Sequence, residues 1–183
     1  MRNIYFVRHS LRDFTIRDDR NVPLTSDGKN LARKLVPFFL DKNIEKIYTS
    51  PYLRAVQTIE PVASQLNIEP VLFEDLRERN VGKWVENFSE FSRNQWNDFD
   101  SKLEDGESLN EVKKRMLATY NDILREQDSN VIISGHGTSL AMLFHEITEG
   151  KFGFREFNEM KMPDIYCVSF NDNRIVKFEH KMI

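Results

Sequence analysis

Arg8 and His9 follow directly on the apolar run Ile4-Tyr5-Phe6-Val7. A buried strand would therefore deliver a guanidinium and an imidazole at its C-terminal end, where ligands bind in open α/β sheets. Taken alone, such a pair is more often solvated or held structurally. A second segment, Ile47-Tyr48-Thr49-Ser50-Pro51-Tyr52-Leu53-Arg54-Ala55, offers Ser50 as N-cap and Pro51 as the first residue of a helix. Arg54 then falls in the first turn, where a cation opposes the helix dipole. An anion bound between the free N–H groups and the guanidinium would relieve that conflict. A surface ion pair with Glu45 or Glu60 would do so equally well. The third segment, Val131-Ile132-Ile133-Ser134-Gly135-His136-Gly137-Thr138-Ser139, reads as a buried strand ending in a Gly-His-Gly turn before a helix. The glycines let the backbone approach a ligand and leave little bulk to bury His136. The fourth, Leu76-Arg77-Glu78-Arg79-Asn80-Val81-Gly82-Lys83-Trp84, sets one carboxylate between two arginines, and by itself is a solvated charge cluster.

With the strands before these segments parallel, Arg8, His9, Arg54 and His136 meet on one edge of the sheet. The result is a cationic pocket suited to a phosphoryl group. The chain has no GxxxxGK[ST] loop and no cluster of aspartates suited to Mg²⁺, so the chemistry falls to side chains. A neutral imidazole can attack phosphorus, arginines and a second histidine can stabilise the equatorial oxygens, and a carboxylic acid can protonate the leaving alkoxide.

The elements that must position these groups are legible as patterns. β-branched runs at Ile4 to Val7, Ile44 to Tyr48, Val71 to Phe73, Val131 to Ile133 and Ile165 to Phe170 read as strands. Helical periodicity covers Asp27 to Leu40, Pro51 to Leu66, Ser108 to Glu126 and Thr138 to Ile147. Alternation of this kind predicts an α/β fold, a mostly parallel central sheet with helices on both faces. Ile165 to Phe170 and Ile175 to Phe178 flank Asn171-Asp172-Asn173 and predict an antiparallel hairpin at the sheet edge. Residues 1–183 are read as one domain. Between about Glu86 and Asp105, Phe88, Phe91, Trp96 and Phe99 lie at helix-like spacings. That stripe is either a lid over the pocket or, the more frequent case, a surface helix docked on the core.

Composition narrows the function classes. Leu, Ile, Val and Phe make about 30% of the 183 residues, above the roughly 20% below which disorder is the better reading. Lys+Arg 26 against Asp+Glu 29 gives a net charge of −3, without the basic excess of a nucleic-acid-binding protein. No apolar run approaches the roughly 20 residues that span a bilayer, and the N-terminus lacks a signal-peptide pattern. Neither a nucleic acid nor a membrane is expected as partner. The single cysteine, Cys167, cannot form an internal disulfide, and four scattered histidines make no zinc module, so a reduced, cytoplasmic setting is the default. His145 and His180 have bland readings, as a helix-end and a tail residue.

The ordered set of motifs resembles the histidine phosphatase, or phosphoglycerate mutase-like, superfamily. The pieces are Arg8-His9, Leu24-Thr25-Ser26-Asp27-Gly28, Ser50-Pro51-Tyr52-Leu53-Arg54-Ala55-Val56-Gln57-Thr58, Leu76-Arg77-Glu78 with Gly82-Lys83-Trp84, Gly106-Glu107-Ser108 and Gly135-His136-Gly137. Each motif is modest, and their order across about three quarters of the chain is specific. The resemblance implies His9 as nucleophile, Glu78 as proton donor, and Arg8, Arg54 and His136 around the phosphate, with the Gly137 backbone beside them. It also implies no metal and no organic cofactor. Two departures stand out. Ser10-Leu11-Arg12-Asp13 replaces the family's usual glycine after the histidine, which makes Ser10 and Arg12 candidate substrate contacts. Val85-Glu86-Asn87 stands where a glycine usually follows the tryptophan motif. Glu74 and Asp75 are alternative acids that match the motif less well.

Family mutases are typically longer than this chain, and a mutase needs extra chain to enclose its ligand. The expected activity is therefore a metal-independent phosphomonoesterase acting through a phosphohistidine on a small phosphorylated metabolite. The alternatives are phosphoglycerate mutase-type transfer and a non-catalytic phospho-ligand sensor. Asp13, Arg17, Asp18, Asp19 and Arg20 are read as a solvated loop. The oligomeric state is not legible in the sequence.

Overall fold

A computed structural model describes residues 1–172 and 174–182 of the chain. In chain order the elements are β1 (Arg2–Arg8), α1 (Ser26–Arg33), α2 (Val36–Phe39), β2 (Ile44–Thr49), α3 (Leu53–Leu66), β3 (Val71–Leu72), a 3-10 turn (Glu74–Leu76), α4 (Phe88–Asn97), α5 (Leu109–Glu126), β4 (Asn130–Gly135), α6 (Gly137–Ile147), α7 (Phe154–Glu159), β5 (Asp164–Asn171) and β6 (Arg174–Lys181). The strands form one sheet in the order β3-β2-β4-β1-β5-β6. The first four are parallel, and β5 and β6 pair antiparallel at one side. This is the mostly parallel α/β sheet with an antiparallel edge that the periodicity predicts. In the β5–β6 turn Asp172 adopts φ 47°, the left-handed conformation that Asp tolerates. Asn173 lies outside the described residues.

Alternation along the strands divides the core in two. Ile4 and Phe6 of β1, Val131 and Ile133 of β4, and Tyr166 and Val168 of β5 face α5 and α6. Tyr5 and Val7, Ile132, and Ile165 and Cys167 face α2 and α3. Burial on both faces explains why the central strands read as continuous apolar runs.

Three helical expectations are corrected. The helix over Asp27 to Leu40 is broken into α1 and α2 at Lys34 and Leu35; Pro37 lacks the N–H a continuous helix requires and serves as an early residue of the second piece. The helix expected from Pro51 begins at Leu53 with Tyr52 as N-cap, while Ser50 Oγ accepts the Tyr52 N–H just ahead of it. Residues 154–159, not anticipated, form α7. There Phe157 packs on Trp96 with ring centroids 5.6 Å apart, and Trp96 and Phe99, at the rear of the 88–99 aromatic stripe, pack against the core.

Candidate active site

Strand register brings the four segments together. Arg8 pairs with Gly135 and Thr49 with Ser134, and one residue further on His9 N–H donates to Gly135 O and Ser50 N–H to Ser134 O, both at 3.0 Å. The parallel ends of β1, β2 and β4 thus set His9, Ser50 and His136 side by side. The two imidazole centroids are 5.2 Å apart.

His9 is 4% exposed, and its Nδ1 lies 2.7 Å from the Ser10 carbonyl oxygen. A carbonyl can only accept, so Nδ1 carries the proton and Nε2 keeps its lone pair. Burial above all, then the charges of Arg54, Arg8 and Arg12, hold the His9 pKa well below 6.5, and the ring is neutral at pH 7. His136 is fully buried, and burial, followed by Arg54 and His9, holds its pKa well below 6.5 too. Its Nε2 meets Ser50 Oγ at 2.8 Å, and that hydroxyl also accepts from Tyr52 N–H at 3.2 Å. With the Ser50 proton donated to Nε2, the ring proton sits on Nδ1, a buried nitrogen without a partner among the described residues.

Arg8, at the end of β1, donates through Nη1 to Met160 O at 2.7 Å, and its Nε is buried without a partner among the described residues. The guanidinium lies flat against Gly137: a Cβ there would meet Nη2 at 2.9 Å, Cζ at 3.0 Å and Nε at 3.1 Å. Gly137 therefore makes room for Arg8. Arg54, in the first turn of α3 as expected, is 2% exposed, and its Nε has no partner among the described residues. Its counterion is Asp19, neither Glu45 nor Glu60. Asp19 Oδ1 is 3.1 Å from Nη2, and its carbonyl oxygen accepts from Nη1. Donors on Arg8, Arg54 and His136, from three separated segments, are thus left without partners among the described residues, and an anion set between them would satisfy all three.

Glu78 approaches from the other side. Its Oε1 accepts from Arg79 N–H at 2.8 Å and Ser139 N–H at 3.0 Å, and its Oε2 from Thr138 N–H at 3.0 Å. The carboxyl group thus caps the start of α6, where orphan N–H groups attract anions. Arg115 of α5 holds the loop behind it, donating to the carbonyls of Asp75, Arg77 and Glu78 while paired with both oxygens of Glu107. Glu74 is taken by Arg20 at 2.8 and 3.0 Å, and Asp75 lies 3.3 Å from Arg77, so of the three candidate acids it is Glu78 that reaches the backbone just after His136.

Ser10 is fully buried and donates its hydroxyl to Gly28 O at 2.8 Å. Its side chain faces α1 and is unavailable as the substrate contact expected from sequence. Arg12 stacks on Phe14 at 4.6 Å and bridges Leu24, and its charge reaches His9 and Arg54. The 13–20 loop is not merely solvated. Asp19 binds Arg54, Arg20 binds Glu74, and Arg17 lies 4.4 Å over the Trp84 ring. Sequence reasoning missed Asp19 and Arg115, because neither carries a local signal, whereas Glu107 lies in a recognisable Gly-Glu-Ser motif. His145 donates through Nδ1 to Phe152 O at 2.9 Å, and His180 meets Asp164 at 2.6 Å; both stay outside the cluster. No group of three or more His, Cys, Asp or Glu placed to hold a metal occurs among the described residues.

Comparison with known proteins matches residues 4–179 to the family profile of the histidine phosphatase superfamily, branch 1. The chain belongs to the histidine phosphatase superfamily. This histidine phosphatase is 29% identical over 154 residues to a putative phosphoserine phosphatase 2 of Hydrogenobacter thermophilus, covering 76% of this chain and 75% of the relative. It is 27% identical over 161 residues to a probable phosphoglycerate mutase of Enterobacter sp., covering 80% and 75%. Among solved structures, a phosphoserine phosphatase mutant from Entamoeba histolytica, in complex with phosphoserine, superposes with a TM-score of 0.80 at 19% identity, over 97% of this chain and 96% of that one. A mycobacterial glucosyl-3-phosphoglycerate phosphatase gives 0.79 at 16% identity, over 98% and 96%. These structural likenesses show the phosphoglycerate mutase-like fold. No helix among the described residues is long and apolar enough to cross a membrane.

Proposed function

We propose that this histidine phosphatase is a metal-independent phosphomonoesterase that acts through a covalent phosphohistidine on a small phosphorylated metabolite. The observation that carries the reading is the His9 Nδ1 to Ser10 O hydrogen bond at 2.7 Å, which leaves Nε2 unprotonated beside three orphaned cationic or N–H donors. Nε2 attacks phosphorus, the phosphorus–oxygen ester bond breaks, and its electron pair leaves on the alkoxide oxygen. Arg8, Arg54, His136 Nδ1–H and the Gly137 backbone surround the equatorial oxygens and stabilise their charge. Glu78 Oε2, engaged by a single N–H, has a lone pair free to carry the proton that the leaving oxygen takes. The same carboxylate then takes a proton from water as the water oxygen attacks phosphorus. Cleavage of the phosphorus–nitrogen bond returns the lone pair to Nε2 and releases phosphate.

Hydrolysis of p-nitrophenyl phosphate in EDTA by wild type and His9→Ala, measured in parallel, tests the reading. The wild type turns over in chelator and traps a bound phosphate that survives alkali and is lost in acid, while the variant does neither. Activity abolished by EDTA, or retained in His9→Ala, refutes the mechanism. Release of inorganic phosphate, rather than transfer to a second hydroxyl of the ligand, separates it from a mutase.

A further inference from the structure

Behind the phosphoryl pocket stands a buried carboxylate that the mechanism does not use. Asp164, the first residue of β5, is 2% exposed and lies opposite Arg8 in the antiparallel register of β1 and β5. One peptide group joins the two. Its carbonyl, Met160 O, accepts from Arg8 Nη1 at 2.7 Å, and its N–H, on Lys161, donates to Asp164 Oδ2 at 3.0 Å. The peptide is trans, so its C=O and N–H point to opposite sides of one rigid plane. Holding the N–H therefore also aims the carbonyl at Arg8. An N–H bonded to a carboxylate polarises its own carbonyl as well, which strengthens the bond that Arg8 makes.

The other oxygen of Asp164 is occupied too. Oδ1 accepts from Ile165 N–H at 3.2 Å and from His180 Nε2 at 2.6 Å. A carboxylate only accepts, so Nε2 carries the proton of that bond. The His180 ring stacks on Tyr166, with centroids 4.7 Å apart and planes 19° from parallel, which steadies it against Asp164 although its side chain is 40% exposed. Closing the turn before β5 does not by itself call for a charge. An asparagine oxygen would bond the Lys161 N–H, and a buried carboxylate is costly to desolvate. Beside Arg8 the charge has a use: burial lowers the pKa of that guanidinium, and Glu78, then Asp164 and Tyr166, act against the lowering.

We propose that Asp164 is a positioning residue for phosphoryl transfer: with His180 behind it, its carboxylate fixes the Met160–Lys161 peptide and, through that carbonyl, the plane of the Arg8 guanidinium. The guanidinium is a rigid fork. With Nη1 anchored on Met160 O, the direction of Nε, buried without a partner among the described residues, is set toward a phosphoryl oxygen. Displacing a group that holds the reacting atoms by about 1 Å costs on the order of a hundredfold in rate, so loosening this support is visible in turnover. The inference rests on the phosphomonoesterase reading, and affinity for inorganic phosphate separates the two, since it calls on Arg8 without any turnover.

The test measures kcat/KM for p-nitrophenyl phosphate and, by calorimetry, the Kd of inorganic phosphate in Asp164→Ala, Asp164→Asn and His180→Phe, each made in the wild-type and the Arg8→Ala backgrounds. With Arg8 present, Asp164→Ala lowers both kcat/KM and phosphate affinity by about tenfold or more. Asp164→Asn keeps an acceptor for Lys161 N–H and His180→Phe keeps the stack on Tyr166, so each loses less, about threefold. In the Arg8→Ala background every one of these losses shrinks below about twofold. A merely structural role lowers the melting temperature and leaves the loss the same in both backgrounds, and that result overturns the proposal. So does the absence of any loss with Arg8 present. Should Asp164→Ala fail to fold, Asp164→Asn and His180→Phe decide by the same comparison. If wild type binds phosphate but hydrolyses no ester, phosphate affinity decides the positioning and only the phosphatase reading falls. If wild type hydrolyses p-nitrophenyl phosphate and the Asp164 variants keep both rate and affinity, the positioning falls and the phosphatase reading stands. Wild type that neither binds phosphate nor hydrolyses the ester refutes both.

Discussion

Gly137→Ala should separate activity from stability. A Cβ at this position would sit 2.9 Å from Arg8 Nη2 and 3.0 Å from Cζ, so the guanidinium must retreat by roughly 0.5 Å to reach ordinary contact. The obstructing atoms are the end of a flexible side chain, and Arg8 Nη1 is tethered to Met160 O at 2.7 Å, so the group can move only by tilting about that bond. Displacement by a fraction of an ångström to about 1 Å at a group that positions the reacting atoms costs on the order of ten- to a hundredfold in rate. The helix itself is not harmed, since Gly137 opens α6 without a left-handed φ and the preference of about 0.5–1 kcal/mol for Ala over Gly holds in helix interiors and only weakly at the first position. We therefore expect kcat/KM for p-nitrophenyl phosphate to fall about ten- to a hundredfold while the melting temperature holds or rises slightly. A double-mutant cycle identifies the route: in an Arg8→Ala background, Gly137→Ala should cost almost nothing more. A variant that keeps wild-type activity, or one whose loss is undiminished without Arg8, would show that the glycine does not act through that guanidinium.

Glu78→Gln should slow alkyl phosphates about a hundredfold or more relative to wild type and spare p-nitrophenyl phosphate, whose leaving group needs little protonation. Arg115→Lys, which loses most of the donors that fix the Glu78 loop, should show the same leaving-group dependence in weaker form; a uniform loss across esters would assign Arg115 to stability alone. Acid should destabilise the fold through the two buried histidines. Their folded-state pKa values are depressed by burial, so the stability they confer is complete above the unfolded value near 6.5 and is lost as pH falls through the folded values. Thermal melts between pH 7 and 5 should thus decline less steeply in His9→Gln/His136→Gln than in wild type, and parallel declines would contradict the buried neutral assignment.

Much of this enzyme was written in local pattern. Continuous apolar runs such as Ile4 to Val7 and Val131 to Ile133 announce strands buried on both faces, because burial on two sides removes the need for alternation. Arg8, His9, Arg54 and His136 were legible because each breaks or exploits a local rule, a cation in a helix's first turn or a histidine between glycines. The break between α1 and α2 is masked in the sequence, since the apolar face of Asp27 to Leu40 runs straight across Pro37.

What tertiary structure alone decided is which of the many charged residues answer one another. Asp19, thirty-five positions from Arg54, becomes its counterion, Arg115 secures the Glu78 loop from a different helix, and Ser10 turns its hydroxyl to Gly28 O rather than to the pocket. The reason is physical. Backbone conformation and hydrophobic period depend on neighbours a few residues apart, whereas ion pairing and desolvation depend on through-space distance, and that is set only when the sheet order brings remote segments together.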